Sequence, residues 1–99
     1  MKEAIEQFIH QKQLSKNSRL AYTYDLEQFL EQVGKINDTS LRLYQSSLQP
    51  LKLSVQKRKL SAVNQFLYFL YNQKYIEHYY KLSIPKDQKE SSSQGSLLD

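Results

Sequence analysis

Leu60, Val63, Leu67 and Leu70 recur at intervals of three and four residues, with Ala62, Phe66 and Phe69 beside them. At 3.6 residues per turn these side chains form one continuous apolar face of a helix. A face of that size must be covered, so in a chain of 99 residues the other segments are what covers it. Lys57, Ser61, Asn64, Tyr68 and Asn72 fall on the opposite side. The same stretch opens on a polar, basic run, Ser54 to Lys59. One helix is thus expected to be core towards its C-terminal end and a cationic, hydrogen-bonding surface at its start.

The partners of that helix are helical too. Two glycines and two prolines in the whole chain are too few for a sheet of tight hairpins. A chain this short forms one domain at most. It has no cysteine, which excludes a disulfide framework and thiolate chemistry. The separated His10 and His78 make no metal site. A net charge of +4 and a pI near 9.3 point only weakly to nucleic acid, so the placement of the charge matters more than its sum. No run of about 18 apolar residues is present, and Glu3 and Glu6 stand where a signal peptide would be apolar. A cytoplasmic location is expected.

The first helix is predicted over residues 2–13, with Ile5, Phe8 and Ile9 as its stripe. The cluster Ser15-Lys16-Asn17-Ser18 supplies caps for a second helix, starting at Asn17 or Ser18 and ending at Val33, before Gly34. Its core face is Tyr22, Leu26, Phe29, Leu30 and Val33. Asp38 or Thr39 is expected to cap a third helix, from about Ser40 to Leu48, that buries Leu41, Tyr44 and Leu48 and is ended by Pro50. Ser54 is expected to cap the fourth, which runs to about Gln73, with Leu53 as a hydrophobic staple. Residues 75–82 read as a short fifth helical element. The expectation is an all-α fold: a small four-helix bundle plus that element over residues 1–84. Residues 85–99, charged and Ser-rich, read as a disordered linker or truncated tail.

No catalytic constellation is visible. Asp25, Glu27 and Glu31 share a helix and read as a solvated face rather than an acid–base pair. The two glycines are isolated, so phosphate-cradling and dinucleotide motifs are absent. No enzyme activity, cofactor or metal is expected for these residues. Five of the eight tyrosines (Tyr68, Tyr71, Tyr75, Tyr79 and Tyr80) cluster at and after the end of the fourth helix. They read as a half-buried core edge or as a surface for a protein partner. The chemistry that remains lies at two helix starts: Lys16, Asn17, Ser18 and Arg19 on one, Lys52, Ser54, Lys57, Arg58 and Lys59 on the other. Short hydroxyl and amide side chains among cations, beside free backbone N–H groups, are what phosphate contacts need. If both starts face the same way, the bundle presents one cationic face.

Two stretches carry a resemblance. LSKNSRLAYTYDLEQFL, Leu14 to Leu30, resembles the "LS-x-N-T-x-x-A-Y-x-x-D-L-x-x-F" segment of the N-terminal domain of tyrosine recombinases and phage-type integrases. SVQKRKLSAVNQFLYFLYNQKYI, Ser54 to Ile76, resembles the fourth helix of that domain, and the nearest likeness is to the Xer branch. The resemblance spans about Ile5 to Pro85. It implies a SAM-like core-binding domain that grips duplex DNA at a recombination half-site, with the catalytic set in a separate C-terminal domain and none of it in these residues. It places DNA contacts at Asn17, Ser18 and Arg19, and at Ser54, Gln56, Lys57 and Arg58, with Lys16 added by the basic run; Ser18 stands where the family usually has Thr. It implies as partners double-stranded DNA, the chain's own catalytic domain and other recombinase subunits, with no membrane and no small-molecule ligand. The rival readings are a helical protein-interaction module that uses the tyrosine-rich end, and a piece of an unrelated DNA-replication or repair protein.

Overall fold

A computed structural model describes residues 2–85. Its helices are α1 (Lys2–Lys12), α2 (Lys16–Val33), α3 (Asp38–Ser47) and α4 (Leu53–Asn72); among the described residues there is no strand. The all-α bundle expected from the periodicity is present. α2 packs against each of the other three helices, and α4 against α1 and α2.

The core is the predicted stripe and what lies over it. Leu60, Val63, Phe66, Leu67 and Leu70 of α4 are fully buried, as are Leu26 and Phe29 of α2. Burying each of these larger side chains contributes about 1.5–3 kcal/mol. Phe8 of α1 reaches Phe66 and Phe69, both at 5.5 Å between ring centroids. Phe29 meets Tyr44 of α3 edge-on at 5.0 Å. Tyr22 and Leu30 are only partly buried at the margin of this core.

Helix ends differ from expectation where a side chain closes the turn. Ser15 caps α2, its Oγ accepting from the Ser18 N–H, so the helix starts at Lys16. α3 is capped by Asn37 rather than Asp38 or Thr39. Ser40 N–H donates to Asn37 Oδ1 at 2.9 Å, and Asn37 N–H donates to Ser40 Oγ at 3.1 Å. That reciprocal box needs a polar residue three positions before Ser40, which is Asn37. α4 begins after Lys52, whose carbonyl accepts from the Gln56 N–H, and it has no side-chain cap. Ser54 therefore sits inside the first turn, and Leu53 is the first helical residue rather than an outer staple. Gly34 closes α2 at φ +66° and ψ −81°, its N–H donating to Leu30 O; the helix end and the positive φ are as the sequence predicts, but the ψ lies outside the left-handed helical region of the expected cap.

The expected fifth helical element is not a helix. The Tyr75 N–H bonds Leu70 O, the Lys74 N–H bonds Tyr71 O, and Lys74 stands at φ +65°. This is a Schellman closure, here with lysine in the position usually held by glycine, and it turns the chain out of α4. The strap beyond it is irregular to Pro85. Asn64 of α4 holds it: Leu82 N–H donates to Asn64 Oδ1 at 2.7 Å and Asn64 Nδ2 donates to Leu82 O at 2.9 Å. Both main-chain groups of Leu82 are thus used by a side chain, not by a helical turn. Leu82 itself is buried, and Ile76 and Tyr80 pack on the core, so the segment does close the bundle. The expected tail lies, from residue 86 onward, outside the described residues.

One polar cluster is built into this core. Asp25 of α2 is 2% exposed and Lys59 of α4 is 6% exposed. Lys59 Nζ donates to Asp25 Oδ1 and to Gln28 Oε1, both at 2.8 Å, and lies 5.4 Å from the Tyr24 ring centroid. Arg58 approaches the same carboxylate from the surface, with Nε 3.2 Å from Oδ2 and Nη2 3.3 Å from Oδ1. The expectation of a solvated Asp25 is thus corrected, while Glu27 and Glu31 are exposed as expected. The physical reason is register: Asp25 follows Tyr22 by three residues and precedes Phe29 by four, within the core stripe.

Asp25→Asn is expected to lower the unfolding free energy by about 3–5 kcal/mol in a urea titration, because Lys59 is left buried without its counter-charge. Asp25→Asn combined with Lys59→Met is expected to recover most of that loss; equal loss in single and double variants would show that uncompensated charge is not the cause. A second expectation concerns Tyr44, whose hydroxyl is buried with no hydrogen-bond partner among the described residues. Burial, with the Asp25 charge adding, pushes its pKa up from 10.0 to about 12. The folded chain holds that proton more tightly than the unfolded one. The contribution is therefore fully present below the ordinary value near 10 and lost as pH rises towards 12. Tyr44→Phe is expected to remove that alkaline component and, at neutral pH, to leave stability unchanged or raised by up to about 1 kcal/mol.

Candidate nucleic-acid interface

The two basic helix starts are built differently. At α2 the cap is Ser15, and the Arg19 N–H closes on Ser15 O at 2.9 Å. Lys16, Asn17 and Arg19 point to solvent, and Ser18 is half-buried. No acidic residue stands in this first turn or in that of α4. Cations there oppose the helix dipole, a small cost that an anion would offset.

At α4, Ser54 is exposed and Lys57 half-buried. Gln56 is turned back onto the preceding connector: its Nε2 donates to Leu51 O at 2.8 Å and to Gln49 O at 3.4 Å. It closes the connector between α3 and α4, so its side-chain donors are already engaged. Arg58 is held by Asp25 yet keeps 55% of its side chain exposed. Lys59, read from sequence as part of the surface run, is buried. Among the described residues Asp25 accepts both ion pairs, so Lys16, Arg19 and Lys57 pair with no described carboxylate.

The relative direction of the two helices follows from their contacts. Asp25 and Gln28, later in α2, meet Arg58 and Lys59, early in α4. Tyr22, earlier in α2, receives a bond from Gln65, later in α4, at 3.5 Å. The helices cross in opposite senses, so their N-terminal dipoles do not converge. The side chains nevertheless meet. Ser18, Ala21, Tyr22 and Asp25 on α2 and Arg58, Ser61 and Ala62 on α4 line one groove of about 280 Å³. The structure thus brings Ser18 and Arg58 together, leaves Lys16, Asn17, Arg19, Ser54 and Lys57 on the flanking surface, and withdraws Gln56.

Sequence reasoning missed Asp25, Lys59 and Ser61 in this arrangement. The available signal was Asp25 falling on the apolar stripe of α2 opposite a pair of cations. Elsewhere, a larger groove of about 540 Å³ lies between α1 and α4, lined by Phe8, Lys12, Gln65, Tyr68, Phe69 and Tyr79 among others; it holds no acid–base pair. Among the described residues no three His, Cys, Asp or Glu side chains are placed to hold a metal ion, and no helix is long and apolar enough to cross a membrane.

Comparison with known proteins adds a second line. No family model matches the chain, and no solved structure matches it. Among curated proteins, a "Tyrosine recombinase XerD-like" of Streptococcus gordonii (strain Challis) is 94% identical over 99 residues, all of this chain and 41% of that protein. A protein of the same name from Streptococcus sanguinis (strain SK36) is 54% identical over 100 residues, again all of this chain and 41% of its own length. One from Streptococcus suis (strain 05ZYH33) is 55% identical over 83 residues, 83% of this chain and 34% of that protein. The chain therefore spans well under half the length of the curated relatives it matches.

The split between engaged and free side chains is testable without any ligand. Gln56→Ala is expected to cost about 1 kcal/mol in a urea titration, through loss of its bonds to the connector carbonyls. Lys16→Ala and Arg19→Ala are expected to stay within about 0.5 kcal/mol of the parent. The reverse ranking would mean that Gln56 is a surface residue and the α2 start a structural one.

Proposed function

We propose, from its homology along its whole length to part of the XerD-like tyrosine recombinases, that this chain is the recombinase's core-binding domain. In this reading residues 1–84 grip duplex DNA at a recombination half-site and carry no chemistry of their own. Residues 85–99 then lead towards a catalytic domain. The single observation that carries the proposal is the 94% identity to the Streptococcus gordonii protein over all 99 residues. The surface agrees with it physically. Lys16, Asn17, Arg19, Ser54 and Lys57 are free cations, hydroxyls and amides at two helix starts that lack acidic residues. Ser18 and Arg58 share the groove between those helices. Phosphates fix the register of a protein on a duplex through such groups. Gln56, engaged with the connector, is the weakest member of the proposed contact set. The proposed partners are double-stranded DNA, the catalytic domain of the same protein and further recombinase subunits, in a cytoplasmic setting.

A domain that closes only one side of a duplex lacks the effective concentration that a second, linked domain supplies, so weak binding is expected of the chain alone. With about five phosphate contacts, the logarithm of the binding constant is expected to fall against the logarithm of salt concentration with a slope near −4 to −5. Lys57→Ala and Arg19→Ala are each expected to flatten that slope by about one.

A second reading has its own observation. Tyr68, Tyr71, Tyr75 and Tyr79 are all exposed, and Tyr79 lies 5.9 Å from Tyr68 and 5.8 Å from Tyr71 between ring centroids. Such a patch suits a protein partner. Fluorescence anisotropy with a labelled duplex, paired with light scattering, separates the two. A salt-dependent duplex shift supports the DNA reading. No shift, together with self-association that Tyr68→Ser and Tyr79→Ser abolish, would transfer the function to the tyrosine face.

A further inference from the structure

The groove between α2 and α4 contains more than a surface cation. Arg58 uses Nε–H and one N–H of Nη2 on the Asp25 carboxylate. Of the five N–H donors of a guanidinium, three are left without a described partner. Because the fork is planar and both bonds end on one buried carboxylate, those three cannot sweep freely as a lysine head would. Ser18 and Ser61 stand on the two walls of the same groove, with Ala21 and Ala62 leaving room between them. Ser61 Oγ accepts from Gln65 Nε2 at 3.3 Å, which leaves its proton free to donate elsewhere. Asp25 also lines the groove, but both of its oxygens are taken, and Lys59 already balances its charge from the interior at 2.8 Å. Asp25, Lys59 and Arg58 together are cationic by one charge. An exposed guanidinium and two half-buried hydroxyls lining one small groove of net positive charge suit a tetrahedral oxyanion.

We infer that Asp25 is a positioning residue that fixes Arg58 as the cation of an anion subsite, completed by the Ser18 and Ser61 hydroxyls, which takes one phosphate of a DNA strand. The identity of the anion as a DNA phosphate rests on the function proposed above; the subsite itself does not. Lys59 is what makes the arrangement possible. It neutralises Asp25 from below, so the carboxylate orients Arg58 without cancelling its charge at the surface.

Two probes keep the subsite and the DNA reading apart: a labelled duplex followed by anisotropy, and inorganic phosphate followed by NMR of the backbone amides and the Arg58 Nε–H. Phosphate is expected to shift the Arg58 Nε–H and the amides of Ser18 and Ser61 ahead of those of Lys52 and Lys81. Arg58→Lys keeps the charge and loses the fork. It is expected to weaken duplex binding about fivefold while leaving the salt slope unchanged, as loss of one hydrogen bond of ordinary net strength with the charge retained implies. Ser61→Ala is expected to weaken it about threefold by the same reasoning. In the Asp25→Asn, Lys59→Met background, folded by near-ultraviolet circular dichroism, Arg58→Lys is expected to cost nothing further, because the tether is already gone. A purely structural Asp25 would leave the full fivefold effect in that background and overturn the positioning role. Arg58→Lys binding as tightly as the parent would overturn the fixed fork, and phosphate shifts no larger at Arg58 than at Lys81 would overturn the subsite. Phosphate shifts at the groove with no duplex binding would support the subsite and refute the DNA reading alone.

Discussion

A buried carboxylate in a domain of this size needs a counter-charge, and that need ties α2 to α4. Asp25 cannot be taken out of water without Lys59, and Lys59 cannot be buried without Asp25 and Gln28. Apolar faces slide and rotate against each other at modest cost; a 2.8 Å ion pair between two helices does not. The leucines and phenylalanines supply most of the driving force. A shift of register would part Lys59 from Asp25 and Gln28 and leave both charges buried without partners. Since α2 also packs on α1 and α3, its register carries through to the whole bundle.

That register decides which polar groups reach the surface together. With the helices crossing in opposite senses, the dipoles of their starts point apart. The shared feature is instead the groove that contains Ser18, Arg58 and Ser61. The basic run Lys57-Arg58-Lys59 is divided by the same geometry: one side chain half-buried, one tethered at the surface, one buried. Three neighbouring cations thus have three different physical roles, and the charge of the segment says little about how many of them an anion meets.

The apolar periodicity was sufficient for the bundle. Leu60, Val63, Phe66, Leu67 and Leu70, Leu26 with Phe29, and Leu41 with Tyr44 are all buried where a 3.6-residue repeat puts them. What it did not yield were features set by side-chain bonds to the backbone, near or far in sequence. Asn37 caps α3 because Ser40 reciprocates. Residues 75–82 are irregular because Asn64 captures the backbone of Leu82. Asp25 was legible in part, since it lies on the stripe; reading it as solvated came from weighing its charge above its register. For the candidate site, the residue types at the two starts were legible, but exposure and pairing were not. Lys59 is buried by its contacts with Asp25 and Gln28 on another helix, and Gln56 is engaged by the connector just before it.

The pairing of Asn64 with Leu82 also fixes an origin. The reach of a connecting segment is counted from its last anchored residue, and its statistical spread grows with the length beyond that point. Asn64, and the Gln45 bond to Ser83 O at 2.6 Å, add main-chain anchors at Leu82 and Ser83 to the packing of Ile76 and Tyr80 on the core. The last anchors among the described residues thus lie at the strap's far end, against α3 and α4. Two side-chain amides, one on α4 and one on α3, thereby set where the described chain is last held by the bundle.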